Sequence, residues 1–280
     1  MLAGAPRRSP FSRPTILFLT PRTDRLARAQ PLCPLLARCL SYSRNAVSAV
    51  LKTTAVRIVS WNMGGLGRAE EKWCFVGLLR ADIAVLQETR LPNELFGYSS
   101  RRYIKPAANR DDVVIVAPKG VTLCPLPETA HGQALGIEYE GRLIFGIRSY
   151  PQVKEYYPKA LLRLIDSIAM VSTAASHVPT VITGDFNASL DQGPGRDWTP
   201  PFRRLHDLGF WDTFCLSNGC DENSLPCNLD HGKTFRNSRG AYRIDHLYVN
   251  SPMAKRFKRV SIIEDGWKLS DHCPVVADFD

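Results

Sequence analysis

The chain has 280 residues, 44% apolar and 22% charged, values that exclude a wholly disordered chain, a collagen-like repeat and a coiled coil. No apolar run approaches the roughly 20 residues that span a bilayer; Ile16-Leu17-Phe18-Leu19 is the longest early one. The net charge is +9, yet residues 1–54 hold nine basic groups against one acid, Asp24, and residues 55–280 are near neutral with 27 basic and 26 acidic groups. Overall basicity is therefore no argument for a nucleic-acid surface on the folded part.

Residues 1–54 are rich in Arg and Ser, poor in acids and broken by Pro6, Pro10, Pro14, Pro21, Pro31 and Pro34. That composition fits an organellar presequence, or an unstructured tail, and it stands outside the fold. An intracellular protein is expected, mitochondrial if the segment targets it and cytoplasmic or nuclear otherwise. With no secretory signal, the eight cysteines read as free thiols in a reducing compartment. Cys74, Cys124 and Cys273 lie in apolar stretches and are expected in the core. Cys215, Cys220, Cys227 and His231 share one polar loop, but they lack the tight spacing of a zinc knuckle, and a loop insertion is the simpler account.

From Val56 the texture becomes that of a folded domain, and residues 55–280 read as one unit. Val56 to Trp61 is a β run ending at Asn62 and the Gly64-Gly65 turn. Residues 69–80 form a helix with Trp73, Val76, Leu78 and Leu79 inward. Asp82 to Leu86 is a strand that stops at Gln87-Glu88, and Val113 to Val116 is another. Leu135 to Tyr139 and Arg142 to Ile147 flank a hairpin turn at Glu140-Gly141. Lys159 to Ser172 is a helix with Leu161, Leu164, Ile165 and Ile168 on one face. Pro179 to Thr183 is a strand running into Gly184-Asp185-Phe186-Asn187. A short helix over 200–209 precedes a long polar loop at 211–233. Strands follow at Arg243 to Val249, Val260 to Ile263 and Val275 to Asp278. Hairpins mixed with crossovers point to an α+β sandwich of mixed sheets.

Polar residues collect where strands end. Asn62, Glu88, Tyr150, Asp185 and Asn187 follow strands, Asp245 lies within one, and Asp271-His272 precede the last. Strand ends at one sheet edge lie side by side, so these groups converge. Three acids and an amide, with no Cys or His pair, suit a hard cation, Mg²⁺ or Mn²⁺ rather than zinc. One His among carboxylates suits phosphate-ester hydrolysis, with a carboxylate preparing water and a charged imidazole facing the phosphoryl oxygens.

In order along the chain stand Ser60-Trp61-Asn62, Gln87-Glu88, Gly184-Asp185-Phe186-Asn187, Arg243-Ile244-Asp245 and Ser270-Asp271-His272. Together they resemble the endonuclease/exonuclease/phosphatase superfamily, which includes exonuclease III-type abasic endonucleases and deoxyribonuclease I. The resemblance spans roughly residues 55–280. It implies a four-layer α/β/β/α sandwich of the deoxyribonuclease I-like type, with the site in a cleft at one edge. It implies Glu88 as the main metal ligand with Asn62 and Asp271 beside it, and Mg²⁺, or Mn²⁺ in its place, as the cofactor. Asp185 would activate water, Asn187 would hold phosphate and water, His272 would stabilise charge, and Asp245 would orient His272. Tyr150 matches a phosphate-contacting position, and a rim aromatic is the other account of it.

Phe235 and Trp267 lie near the last motifs and are candidates for stacking on a base or sugar; packing would explain them equally. Arg243 is a candidate substrate contact. His246, next to Asp245, faces the other side of its strand and reads as packing or surface. Two segments depart from the abasic-endonuclease pattern. Asn109-Arg110-Asp111-Asp112 stands where Tyr-Gly-Gly is usual, and Thr234-Phe235 where Thr-Trp is usual. The expected activity is hydrolysis of phosphodiester bonds, with DNA as the first substrate. RNA, a nucleotide, a protein–DNA linkage and an inositol or lipid phosphate are the alternatives, and a silent binding module a further one. A monomer with no membrane association is expected.

Overall fold

A computed structural model describes residues 55–280 apart from 66, 90–100, 105–112, 119, 128–129, 131–132, 152–154, 174–175, 191–196 and 221–231. The basic segment 1–54, the departure at 109–112, Cys227 and His231 lie outside the described residues. Strands and helices follow in the order β1 (Val56–Asn62), α1 (Ala69–Leu78), β2 (Ile83–Gln87), β3 (Arg101–Ile104), β4 (Val113–Pro118), β5 (Thr122–Cys124), β6 (Ala134–Tyr139) and β7 (Arg142–Arg148). Next come α2 (Tyr157–Ser172), β8 (Thr180–Asp185), α3 (Thr199–Asp207), β9 (Phe210–Asp212) and α4 (Thr213–Ser217). The chain ends with β10 (Phe235–Asn237), β11 (Gly240–Tyr242), β12 (Asp245–Asn250), α5 (Ser251–Ala254), β13 (Phe257–Ile262) and β14 (Val275–Phe279).

Two six-stranded sheets carry the fold, ordered β13-β14-β1-β2-β4-β3 and β5-β6-β7-β8-β12-β9; β10 and β11 pair as a separate hairpin. Each strand feeds two layers of core. Ile58, Val85, Ile115, Ile144, Val181 and Val249 meet between the sheets. Their strand neighbours turn outward: Val59, Trp61 and Leu86 pack beneath α1 with Trp73 and Val76. On the far side Phe145, Ile147, Ile182 and Tyr248 pack beneath α2 and α3 with Leu161, Ile165 and Phe202. Sheets buried on both faces give continuous apolar strands rather than alternating ones, and the α/β/β/α layering of the resemblance is the observed one.

The sheets approach closely under the site. A Cβ on Gly146 of β7 would lie 2.5 Å from Val85 Cγ1 and 3.0 Å from Val113 Cγ1, so the opposing sheet fits only against a glycine. Gly184, with φ +144°, meets the same limit within its own sheet, where a Cβ would fall 1.9 Å from Ile147 O.

Some local expectations are corrected. Leu78 is 76% exposed at the C-terminal end of α1, and Cys74 is exposed while Cys124 and Cys273 are buried. The loop expected at 211–233 begins with β9 and α4 instead; Asp212 caps that helix by accepting from Phe214 N at 2.9 Å. Among the described residues no helix is long and apolar enough to cross a membrane.

Candidate active site

The two parallel pairs set the site. β1 runs parallel to β2 with Asn62 beside Gln87, and β7 runs parallel to β8 with Arg148 beside Asp185. Their C-terminal ends therefore lie at one edge of the sandwich. β12 runs the opposite way and starts there, placing Asp245 opposite Asp185. β14 also starts there, just after His272.

Side chains then form a connected chain across the two sheets. Asn62 is 1% exposed. Its Nδ2 donates to Glu88 Oε1 and to Asp185 Oδ2, each at 2.9 Å, while its Oδ1 accepts from Gly64 N at 2.9 Å. In this arrangement Asn62, for which the resemblance implies a place beside the metal, turns its NH₂ to Glu88 and its oxygen to Gly64 N. The amide separates two carboxylates by giving each one hydrogen.

Asp185 is buried and held from the other side by Asn187, whose N donates to Oδ1 at 2.8 Å and whose Nδ2 donates to Oδ2 at 3.0 Å. The same Nδ2 donates to Ser149 O at 2.7 Å, and Ser149 N donates to Asp185 O at 2.8 Å. Burial pushes the Asp185 carboxyl up to about 6; the charge of His272 opposes this and that of Asp245 adds to it. Glu88 and Asn187 both adopt left-handed backbone, at φ +50° and +51°. Such strain in non-glycine residues costs on the order of 1 kcal/mol each and collects at functional positions. Gly65 N fixes the first by donating to Glu88 O at 3.0 Å.

His272 and Asp245 form a buried pair, with imidazole Nδ1 2.8 Å from Asp245 Oδ2. A carboxylate accepts, so Nδ1 carries hydrogen. Burial alone would lower the imidazole, but the charge and hydrogen bond of Asp245 prevail and hold it at about 9. Asp245 Oδ1 has no hydrogen-bond partner among the described residues.

Two residues that the sequence did not single out hold this pair. Trp61 Nε1 donates to His272 O at 2.9 Å. Thr234 Oγ1 accepts from Asp245 N at 3.0 Å, and Thr234 O accepts from Cys273 N at 2.7 Å. Trp61 lies inside the first motif and Thr234 directly before Phe235, so motif adjacency was the available signal.

The remaining candidates divide. The Phe235 ring stands 4.7 Å from the His272 ring, and its backbone bridges to His272. Asp271 is exposed and accepts from Ser270 Oγ at 3.3 Å. Tyr150 follows β7, and its carbonyl accepts from the buried Gln133 Nε2 at 2.7 Å. The Arg148 guanidinium lies 5.2 Å from the Tyr150 ring and 2.8 Å from Glu88 Oε1; sequence reasoning missed Arg148. Trp267 has Arg236 over its ring at 4.7 Å.

Arg243 is not brought to the cleft. Its guanidinium binds Asp212 Oδ2 at 2.6 Å and covers the Phe214 ring at 5.2 Å, so the substrate contact expected of it gives way to a buried structural pair. His246 is buried on the opposite face, with Nε2 2.9 Å from Ala188 O.

The donors available to a cation are oxygens, Glu88 and Asp271. Among the described residues no group of three or more His, Cys, Asp and Glu stands ready to cage an ion. Mg²⁺ keeps several waters and needs one or two carboxylates, so this donor set fits it and does not fit a structural zinc.

A four-layer sandwich with a buried Asp, Asn and His–Asp constellation at its edge defines a hydrolase of the deoxyribonuclease I-like architecture. The chain belongs to the endonuclease/exonuclease/phosphatase family, whose model matches residues 59–272, and it is a hydrolase acting on phosphodiester bonds. Solved structures share the fold. An AP endonuclease from Archaeoglobus fulgidus aligns with TM-score 0.63 and 18% identity over 80% of this chain and 99% of that one. The 3′ phosphatase NExo from Neisseria, bound to a product DNA hairpin, aligns with TM-score 0.60 and 21% identity, covering 80% and 99%. A humanised TDP2 of D. rerio aligns with TM-score 0.55 and 15% identity, covering 81% and 99%. Comparison with curated proteins finds no match.

Proposed function

We propose that this protein is a Mg²⁺-dependent phosphodiesterase that cuts DNA, leaving 3′-hydroxyl and 5′-phosphate ends. The observation that carries the reading is the meeting, at one edge of the two sheets, of a carboxyl and an imidazole whose pKa values are both raised. Asp185 is raised towards neutrality by burial, and His272 is held protonated by Asp245. Near pH 7 the first is a base strong enough to take a proton from water, and the second is a cation. Asp185 deprotonates the attacking water. Asn187, fixed by Asp185 and Ser149, positions the phosphate and that water. His272 faces the charge that grows on the non-bridging oxygens, where a preorganised donor is worth most. Asn62 keeps Glu88 and Asp185 apart and oriented.

Glu88, with Asp271, would hold the cation. A bound Mg²⁺ would polarise a phosphoryl oxygen and neutralise part of its charge. Two observations support DNA as the substrate. The related fold of NExo holds a DNA product. The β10–β11 hairpin exposes Arg236 and Arg239 and is tied to the site by Arg236 N donating to Asp271 O at 3.0 Å, the kind of cation placement that meets a phosphate backbone.

The test uses the purified protein with Mg²⁺ or with EDTA on four labelled substrates: an intact duplex, a duplex with one abasic site, a 3′-recessed duplex and a single-stranded RNA. Mg²⁺-dependent cutting of any DNA substrate is the expected result. Cleavage of RNA alone would replace the substrate. No cleavage of any of them, alongside hydrolysis of bis(4-nitrophenyl) phosphate, would move the enzyme to a small phosphoester.

A further inference from the structure

Lys72 is a charged residue inside the fold, 3% exposed in the first turn of α1, and it takes no part in the proposed chemistry. Burying an ammonium is costly, and the start of a helix disfavours a cation. Packing therefore does not account for it; its hydrogen bonds do. Its Nζ donates to Met63 O, and to Gly65 O at 3.3 Å. The amides of those same two residues hold the neighbouring strand end, Met63 N donating to Gln87 O at 2.9 Å and Gly65 N to Glu88 O at 3.0 Å. The ammonium thus grips from behind the two residues that hold the Glu88 backbone from the front.

The same turn reaches a second carboxylate. Ser270 Oγ lies 2.9 Å from Asn62 O and 3.3 Å from Asp271 Oδ1, and a Cβ on Gly64 would fall 3.1 Å from that Asp271 oxygen. Gly64 and Gly65 both have left-handed backbone, at φ +61° and +76°, and two adjacent glycines hold such a shape weakly on their own. Burial lowers the Lys72 ammonium, while the charges of Asp271 and Glu88 raise it, so both acids lie within its electrostatic reach.

We propose that Lys72 is the positioning residue of the cation site, a buried brace that fixes the Asn62–Gly65 turn and through it sets Glu88 and Asp271 for one divalent ion. The inference rests on the functional reading above and adds a residue to it. Lys72 touches neither ion nor substrate in this role; it acts through the two carboxylates. A bystander charge would have the opposite sign of effect. A like charge near the ion weakens its binding, so removing a bystander would tighten the site, whereas removing a brace loosens it.

The test measures Mn²⁺ binding to the full chain by the loss of the free-ion paramagnetic resonance signal, without substrate, for the native protein, Lys72→Met and Gly64→Ala. Lys72→Met keeps the length of the side chain and loses its donors. It binds Mn²⁺ about tenfold more weakly, the usual cost of losing a group that orients a metal ligand. In turnover of bis(4-nitrophenyl) phosphate, the Mn²⁺ concentration for half-maximal rate rises by a larger factor than kcat at saturating Mn²⁺ falls, a split that a general loss of stability does not produce. Gly64→Ala presses on the turn from the Asp271 side with Lys72 intact, and it also binds Mn²⁺ more weakly than the native protein. Native or tighter Mn²⁺ binding by Lys72→Met, with an intact circular dichroism spectrum, overturns the brace. Where Lys72→Met does not fold, native Mn²⁺ binding by Gly64→Ala overturns it, because the turn then does not set the carboxylates. A native protein that neither binds Mn²⁺ nor hydrolyses bis(4-nitrophenyl) phosphate or DNA overturns the functional reading itself, and this proposal with it.

Discussion

Two buried histidine–aspartate pairs stand back to back on β12, and their difference separates chemistry from support. Asp245 and His246 are neighbours in sequence, so their side chains leave the strand on opposite faces. On the cleft side Asp245 meets His272 at 2.8 Å. On the helix side His246 Nδ1 lies 3.4 Å from Asp212 Oδ2, and Arg243 binds that same oxygen at 2.6 Å. Burial pushes Asp212 up, but the Arg243 guanidinium and His246 together hold it well below the usual carboxylate range. Asp212 thus has a permanent counter-ion, because arginine does not give up its proton. Asp245 has only an imidazole, whose charge depends on a proton it can exchange. An acid answered by arginine is settled, whereas an acid answered by histidine alone ties the charge of the site to pH.

The largest effect should come from the cleft side. In the proposed mechanism Asp185→Asn removes the base and His272→Ala the cation, and each should lower kcat by about 10³-fold. Asp185→Asn should also leave the melting temperature unchanged or raise it, since the native fold disfavours that buried charge. A turnover near native in either variant would sink the mechanism.

The pH profile follows from signs. Asp185 must lose its proton, which it does as pH rises through about 6, and His272 must keep its own, which it does until about 9. kcat/KM should therefore plateau between those values. Asp245→Asn removes the charge that holds His272 up, and the alkaline limb should move towards the ordinary histidine range near 6.5. Both native values lie above their unfolded ones. Their stabilising contributions are thus present at low pH and fade upward, that of Asp185 through about 6 and that of His272 through about 9. An alkaline limb that ignores Asp245→Asn would break the assignment of the pair.

The helix side should answer in stability instead. Arg243→Ala leaves Asp212 buried without its cation, and breaking such a pair costs about 3 kcal/mol or more. Urea unfolding should show that loss, while kcat of the folded variant falls far less than for Asp245→Asn. A catalytic loss equal to that of Asp245→Asn, with stability kept, would return Arg243 to the substrate contacts that its motif implied. The contact of His246 Nε2 with Ala188 O gives this side its own link to the catalytic turn. Ala188 O can only accept, so Nε2 carries a hydrogen, and the turn after Asn187 is braced by the structural pair.

How far the sequence could be read follows the same division. Strand-end logic expected Asn62, Glu88, Asp185, Asn187, Asp245 and His272 to converge, and they do, because parallel β1–β2 and β7–β8 deliver their ends to one edge; each lies in a local motif. It missed Arg148, whose partner Glu88 is 60 positions away in the chain; only the packing of one sheet on the other brings them together. It misread Arg243, since a polar residue two positions before a catalytic acid looks like part of the cleft until β9 and α4 supply Asp212 and Phe214. Those elements were hidden because three and five residues carry too little periodicity to register. The β10–β11 hairpin was hidden for another reason. Its strands are short and exposed, and what orders them is pairing to Asp271 and His272 rather than any apolar pattern.

A change that touches neither pair tests whether the two sides move together. Gly146→Ala places a methyl 2.5 Å from Val85 Cγ1, and overpacking of this kind costs about 1–3 kcal/mol. Thermal melts should show the loss. Because Gly146 lies two residues before Arg148, the sheet-to-sheet distance at Glu88 should change as well, visible as a raised Mg²⁺ requirement. A stability loss with native Mg²⁺ dependence would mean that the cleft is insulated from the packing beneath it.

The smallest expected effect concerns Trp267, a candidate to stack on a base. One of its faces is already covered by Arg236, whose NH2 also donates to Trp267 O at 3.1 Å. The pair therefore acts as a unit that fixes a guanidinium against Trp267, on a strand whose backbone bonds Asp271, and exposed pairs of this kind contribute about 0.5–1 kcal/mol. Trp267→Phe should keep most of that and Trp267→Ala should lose it, raising KM for DNA a few-fold while hydrolysis of bis(4-nitrophenyl) phosphate stays native. Arg236→Gln should give the same split and also flatten the salt dependence of DNA binding by about one phosphate contact. If Trp267→Ala costs DNA binding tenfold or more while Arg236→Gln costs nothing, the indole itself meets the substrate and the guanidinium only covers its back.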